Sequence, residues 1–251
     1  MITIDIGNTT ISVAVMNGVA VKSFSRIDTH LSVNEQKRQL KKLFKQISNK
    51  VKKIEVVCIS SVVPERTAIV EREANNFFLL KSKVVGRDIS VPLVNRYKNP
   101  KQVGQDRLVG SYAAMRLYGH PVIVIDLGTA ITFDIISKNE EYLGGVIVPG
   151  IQLSAESLFL KTALLPRIHI EAPKSVIGRT TKESILSGLF YGYGSLCQGF
   201  IELISKQINA RPKVVMTGGH THLMKRFVSS KIRIIDDHLV HKGMALLARE
   251  C

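Results

Sequence analysis

One short pattern occurs twice in this chain, each time at the end of an apolar run, and it limits what the chain can fold into. Asp5-Ile6-Gly7-Asn8-Thr9-Thr10 closes the first run and Asp126-Leu127-Gly128-Thr129-Ala130-Ile131-Thr132 follows Val122 to Ile125. Each places a carboxylate at the end of a strand, then a glycine, then small hydroxyl or amide side chains, then a second β-branched run. A carboxylate there can hold a cation, glycine lets a phosphate approach the backbone, and Thr or Asn adds hydrogen bonds without bulk. Asp and Gly are also ordinary turn residues, so either turn alone is open to a purely structural reading. The repetition points to two similar halves gripping one nucleotide. Thr217-Gly218-Gly219 after Val214-Val215-Met216 adds a third glycine turn, read as opening a helix and offering bare backbone to a base and ribose. No P-loop and no Gly-x-Gly-x-x-Gly after a strand is present.

The rest of the chain reads as mixed α/β. Strands are expected at Ile2 to Ile6, Ile11 to Met16 and Val19 to Ser25, the last two joined by the hairpin signal Asn17-Gly18. A helix from Val33 to Ser48 carries Leu40, Leu43, Phe44 and Ile47 on one face. A strand at Ile54 to Ile59, a Ser60-Ser61 turn and a helix opening at Pro64 come next. Lys81 to Lys101 reads as a loop-rich excursion suited to substrate contacts, and Gly104 to Leu117 as a helix. The order then repeats: strands at Val122 to Asp126, Ile131 to Ile136 and Tyr142 to Val148, helices at Ile151 to Ala163 and Lys182 to Gln207, strands at Lys213 to Met216 and Ile232 to Ile235, and a closing helix from His238 to Ala248. Hairpins followed by alternating helices and strands imply two mixed sheets, split near Tyr118, giving halves 1–117 and 118–251.

At 251 residues the chain has room for one large or two small domains. The formal charge is +15, and eight Lys or Arg fall between Lys37 and Lys53 with no acid among them. That stretch reads as a solvated helix face or as a patch for a polyanion. The three cysteines, Cys58, Cys197 and Cys251, have no metal spacing, which suits a reducing cytoplasm. No signal peptide and no apolar stretch of membrane-spanning length is read. His220 and His222 do not share a helical face, and His238 and His241, which do, are read as surface residues. Asp106-Arg107 offers a carboxylate on a glycine-preceded turn and a guanidinium able to grip a carboxylate, or else a structural pair at a helix start. Thr180-x-x-Glu183 is a capping box, which leaves Thr181 available in the first turn.

The three glycine turns, in this order, resemble the phosphate-1, phosphate-2 and adenosine motifs of the acetate and sugar kinase, Hsp70 and actin superfamily. Within it, Asn99-Pro100-Lys101-Gln102-Val103-Gly104-Gln105-Asp106-Arg107 is similar to the Pro-x-x-x-Gly-x-Asp-Arg segment of type III pantothenate kinases. Tyr142 to Gly150, Thr162 to Pro166, Ile177 to Thr181 and Ser60 to Pro64 also resemble segments of that family, so the likeness spans essentially the whole chain. The chain departs from the family where Val85-Gly86-Arg87-Asp88-Ile89-Ser90-Val91-Pro92 replaces a Gly-x-x-Thr-Gly segment.

The resemblance implies two ribonuclease-H-like halves, each a mixed β-sheet flanked by helices, with the nucleotide in the cleft between them. It implies phosphorylation of pantothenate by ATP, the first step of coenzyme A biosynthesis, in a cytoplasmic homodimer that needs Mg²⁺ and K⁺ or NH₄⁺. Asp106 matches the general base, and Tyr97, Gly104, Gln105, Asp106, Arg107 and Thr181 match substrate contacts, Thr181 reaching the neighbouring subunit's site. Asp5, Ile6, Gly7, Asn8, Thr9, Thr10, Ile11, Ser12, Thr129, Gly218 and Gly219 match the ATP site. Asp5 matches the Mg²⁺ residue and Asp126 the monovalent-cation ligand. Neither a membrane nor a nucleic-acid partner is expected. The rival readings are another small-molecule kinase of the superfamily, a nucleic-acid-binding regulator, and a filament protein.

Overall fold

The computed structural model describes residues 1–51, 53–228, 232 and 234–250. The chain forms two compact units, Met1–Leu117 with His238–Cys251, and Tyr118–Asp237.

In the first unit, β1 (Ile2–Ile6), β2 (Thr10–Asn17) and β3 (Ala20–Asp28) form an antiparallel meander. Helix α1 (Val33–Ser48) leads to β4 (Val57–Ser61), α2 (Pro64–Phe78) and β5 (Lys83–Val84). The sheet order is β3-β2-β1-β4-β5, with β4 and β5 added in parallel. Alternation puts Ile2, Ile4, Ile6, Val13, Val15, Val57 and Ile59 on one face, where Leu40, Phe44 and Ile47 of α1 and Val70 and Ala74 of α2 cover them. The outer side of α1 carries Arg38, Lys41, Lys42 and Lys45 of the basic stretch, and Lys50 and Lys53 follow the helix; Arg38 pairs with Glu35 at 2.8 Å and Lys53 with Glu55 at 2.7 Å. Lys52 lies outside the described residues. The remainder of this unit holds β6 (Val94–Asn95), a 3₁₀ turn at Pro100–Gln102 and α3 (Gln105–Tyr118).

The second unit repeats the topology. Strands β7 (Val122–Leu127), β8 (Ala130–Ile136) and β9 (Glu141–Pro149) form the meander. After α4 (Ile151–Lys161) and α5 (Thr181–Gln207) come β10 (Lys213–Thr217), α6 (Thr221–Met224) and β11 (Ile234–Ile235). Strands β10 and β11 add in parallel beside β7, so the order β9-β8-β7-β10-β11 reproduces that of the first sheet. Its core joins Ile123, Ile125, Ile131 and Phe133 to Leu186, Phe190 and Cys197 of α5. Among the described residues no helix is long and apolar enough to cross a membrane.

Five expectations need correction. Strand β4 runs Val57–Ser61 rather than Ile54 to Ile59. Its register is set by β1, with Ile2 opposite Val57 and Ile6 opposite Ser61, so the two serines lie in the strand and not in a turn. The helix after Gly219 is a single turn, Thr221–Met224, too short to serve as an anion-binding terminus. The closing helix α7 (Leu239–Leu247) packs in the first unit, against β1, β2 and β4 and, through Gly243, against α3. The half read as 118–251 therefore ends at Asp237. His241 on α7 is buried, not a surface residue. Of the three cysteines, Cys58 and Cys197 are buried outside any disulfide, and Cys251 lies outside the described residues.

Candidate active site

The two Asp-Gly turns are each closed by the glycine N–H, the first being one residue longer than the second. In the first, Gly7 N–H donates to the Thr10 carbonyl at 3.0 Å; in the second, Gly128 N–H donates to the Ala130 carbonyl at 3.1 Å. Each aspartate is flanked across both neighbouring strands by a hydroxyl. Asp5 stands opposite Ser12 on β2 and Ser60 on β4. Asp126 stands opposite Thr132 on β8 and Thr217 on β10. Residues in register share a sheet face, so each half-buried carboxylate lies in a row of oxygen donors. The sequence reading missed Ser60 and Thr132 as members of these rows. The signal available for Ser60 was a pair of hydroxyl residues closing an apolar run.

The first turn is anchored from its outer side. Thr29, buried just after β3, donates its N–H to the Thr9 carbonyl at 3.0 Å and its hydroxyl to the Gly7 carbonyl at 2.9 Å. Asn8 and Thr9 remain exposed at the tip, while Ile6 and Ile11 are buried beneath it. The end of β1 also holds the next segment, because Val62 N–H donates to the Ile6 carbonyl at 3.0 Å.

Val62 leads to Asp106. A Cβ on Gly104 would lie 3.4 Å from Val62 Cγ1 and 2.5 Å from Asp106 Oδ1, so only a glycine leaves room for that carboxylate. Asp106 is in the first turn of α3, and its Oδ1 accepts from Arg107 N–H at 2.8 Å. The Gln105 side chain packs on Gly86, which has φ +85° and closes its own turn through Ile89. The segment that departs from the family pattern thus shapes the approach to Gln105. Tyr97 is half-buried, its N–H held by Asn95 Oδ1 at 3.0 Å.

In the second unit, two of the three glycine turns meet. Gly218, at φ +101°, lies so close to Asp126 that a Cβ would stand 2.3 Å from its Oδ1 and 2.6 Å from Leu127 N. His220 N–H donates to the Leu127 carbonyl at 3.1 Å, and the Thr221 hydroxyl donates to the Gly218 carbonyl at 2.7 Å, fixing the pair of turns. Thr129 and Gly219 are exposed. Thr132 donates to Asp134 Oδ2 at 3.1 Å and Tyr142 to Asp134 Oδ1 at 2.6 Å, so a buried carboxylate orients the hydroxyl opposite Asp126. Thr181 is not drawn into this group by any of these bonds; it is exposed at the start of α5, where Thr180 Oγ1 accepts from Glu183 N–H at 3.2 Å and Glu183 Oε2 accepts from Arg179 N–H at 2.8 Å.

In the first unit Asp5 with its hydroxyl neighbours could hold a cation that offsets phosphate charge, beside a turn exposed at Asn8 and Thr9, and Asp106 and Arg107 start α3; in the second unit Asp126, its hydroxyl neighbours and the Gly218 turn form a similar set. Among the described residues no three His, Cys, Asp or Glu side chains gather to hold a metal ion by themselves. Single carboxylates beside hydroxyls suit Mg²⁺ that shares its coordination with phosphate oxygens, because Mg²⁺ is commonly held by one or two carboxylates plus substrate. Ser60 fits this: its hydroxyl is fully buried beside Asp5 and has no hydrogen-bond partner among the described residues. Asp126 fits a monovalent cation, having an oxygen-rich row and the bare backbone of Gly218 against it.

Comparison with known proteins covers most of the chain. A family model described as type III pantothenate kinase matches residues 1–203. A type III pantothenate kinase of Persephonella marina is 41% identical, covering 89% of this chain and 88% of the relative. One from Halalkalibacterium halodurans is 36% identical, covering 100% of this chain and 99% of the relative. Among solved structures, a ROK family glucokinase from Streptomyces griseus in complex with glucose and AMPPNP has a TM-score of 0.56 at 15% identity, covering 100% of this chain and 99% of that one. At that identity it shows a shared fold.

Proposed function

Because this chain belongs to the type III pantothenate kinase family, we propose that it phosphorylates pantothenate with ATP through the residues located above. The observation that carries the assignment of residues is the duplicated turn, in which Asp5 and Asp126 occupy equivalent places in two sheets of one topology. The first unit supplies the triphosphate-binding segment Asp5–Ser12 and the acceptor segment Gly104–Arg107. The second supplies Asp126, Thr129, Gly218 and Gly219 for the nucleotide.

In the reaction, the Asp106 carboxylate accepts the proton of the pantothenate primary hydroxyl. That oxygen bonds to the γ-phosphorus while the bond from phosphorus to the bridging oxygen of ADP breaks, giving 4′-phosphopantothenate and ADP. Arg107 holds the pantothenate carboxylate, since a guanidinium matches that shape with two parallel bonds. Phosphoryl transfer depends chiefly on positioning and charge neutralisation. Asp5 would hold Mg²⁺, with Ser60 beside it, and Asp126 would hold K⁺ or NH₄⁺; these ions offset the phosphate charge when bound. Tyr97 and Gln105 complete the acceptor side. The test is ADP release in the presence of Mg²⁺ with pantothenate, with other small hydroxy acids and with no acceptor, in K⁺ and in Na⁺. Release that needs pantothenate and is faster in K⁺ is expected; release indifferent to pantothenate would assign another acceptor.

The same reading includes a homodimer in which Thr181 serves the partner's acceptor site. Its support is the apolar surface of 160–177: Leu164 is 91% exposed and Ile177 75%, with Leu160 and Val176 also exposed. Large apolar side chains so displayed mark an interaction surface. Sedimentation velocity should find a dimer for the wild type and a monomer for Leu164→Glu with an unchanged thermal midpoint. A wild-type monomer at micromolar concentration would contradict the dimer.

A further inference from the structure

A buried chain of two hydroxyls and one imidazole lies under the first Asp-Gly turn. His241 of α7 is 3% exposed. Its Nδ1 is 2.8 Å from Thr3 Oγ1 and its Nε2 is 2.8 Å from Ser12 Oγ. Thr3 belongs to β1 and Ser12 to β2, so one ring joins three elements. Phe24 of β3 packs edge-on against the ring, with centroids 5.5 Å apart. Burial, with help from His238 and Arg26, pushes the imidazole pKa down to about 3, which keeps the ring neutral. A neutral imidazole donates from one nitrogen and accepts at the other. One hydroxyl therefore donates to the ring while the other accepts from it, and the two bonds depend on each other.

The location matters more than the burial. Ser12 stands opposite Asp5 in the β1–β2 register, two residues after the Gly7–Thr10 turn. Thr29 ties the outer side of that turn, and His241 holds Ser12 on the strand leaving it. An apolar residue at 241 would fill the same space and leave both hydroxyls without this partner, at a cost that falls on the strand carrying the turn.

We propose that His241 is a positioning residue for the triphosphate turn: by holding Ser12 it fixes the strand beside Asp5 in the form that takes ATP. The proposal rests on the reading of Asp5–Ser12 as the ATP-binding segment. Nothing in the chemistry requires His241 to touch the nucleotide.

The test compares His241→Leu, His241→Gln and His241→Asn with the wild type. Four readouts are needed: Mg·ATP affinity by calorimetry without pantothenate, kcat, KM for each substrate, and the thermal midpoint. The Gln amide takes the place of Nε2 and can reach Ser12; the Asn amide takes the place of Nδ1 and can reach Thr3. His241→Leu should weaken ATP binding about tenfold, the scale of one lost buried hydrogen bond, with KM for pantothenate unchanged. His241→Gln should recover most of that affinity and His241→Asn little of it, even where their thermal midpoints agree. ATP affinity that follows the thermal midpoint, or that is equal in the Gln and Asn variants, would overturn the proposal. Should His241→Leu not fold, Ser12→Ala in the wild type and in His241→Asn decides: the two losses should be far from additive, and full additivity would overturn the coupling. Wild-type protein that binds no ATP would instead overturn the ATP-site reading and the proposal with it. Protein that binds ATP without phosphorylating pantothenate would overturn only the acceptor assignment, and the variant affinities would still decide the role of His241.

Discussion

Asp106→Asn is expected to lower kcat by about 10²–10⁴-fold, the usual contribution of a positioned general base, while ATP affinity stays close to wild type. Asparagine isolates the effect well. It keeps the size of the side chain, the fit against Gly104 and an oxygen to accept from Arg107 N–H. What it removes is the negative charge and the ability to take a proton. If Asp106 served only the start of α3, the loss would be a helix-dipole contribution of about 0.3–1 kcal/mol in stability, with turnover intact. Steady-state kinetics and ATP titration on the same preparations separate the two. Equal losses in turnover and ATP binding would make Asp106 a structural residue.

Gly218→Ala is expected to have the second large effect, on ATP binding and on stability together. Its backbone has φ +101°, which L side chains rarely adopt, and the added methyl would press on Asp126 Oδ1, Leu127 N and Leu127 C within 2.7 Å. Two of these three atoms are backbone, so no rotamer change relieves the contact. Strained backbone of this kind costs about 1–3 kcal/mol before any clash is counted. Because the strained atoms include the carboxylate assigned to the monovalent cation, the variant should also lose its preference for K⁺ over Na⁺. Gly199→Ala, on α5, is the control: a Cβ there meets nothing within 4 Å. A Gly218→Ala protein with wild-type ATP affinity and thermal midpoint would contradict the placement of Asp126 against the third turn.

Most of this architecture was legible in the sequence because local chemistry and tertiary structure agree. Asn17-Gly18 turns the β2–β3 hairpin, with Gly18 at φ +60°. The spacing of Leu40, Phe44 and Ile47 gives α1 its observed bounds, and Thr180 with Glu183 caps α5. The residues that escaped are those whose fate depends on a distant partner. Ser60 favours turns by its own chemistry, but parallel pairing with β1 draws it into β4 beside Asp5. His241 sits on a short amphipathic helix, and its neighbours in sequence do not reveal which sheet that helix covers. Thr3 and Ser12, more than two hundred residues away, give it its buried hydrogen-bond partners. The same holds for the glycine turns. Their repetition announced two equivalent turns in two like sheets, yet the hydroxyl opposite each aspartate is fixed by strand register, which one sequence does not display.

The central claim is that this chain moves the γ-phosphoryl of ATP to pantothenate, and product identification by mass spectrometry tests it most directly. Purified protein incubated with ATP, Mg²⁺, K⁺ and pantothenate should form 4′-phosphopantothenate and ADP in a one-to-one ratio, and no ADP when pantothenate is left out. ADP formed without phosphopantothenate, or no reaction from folded protein that binds both substrates, would contradict it.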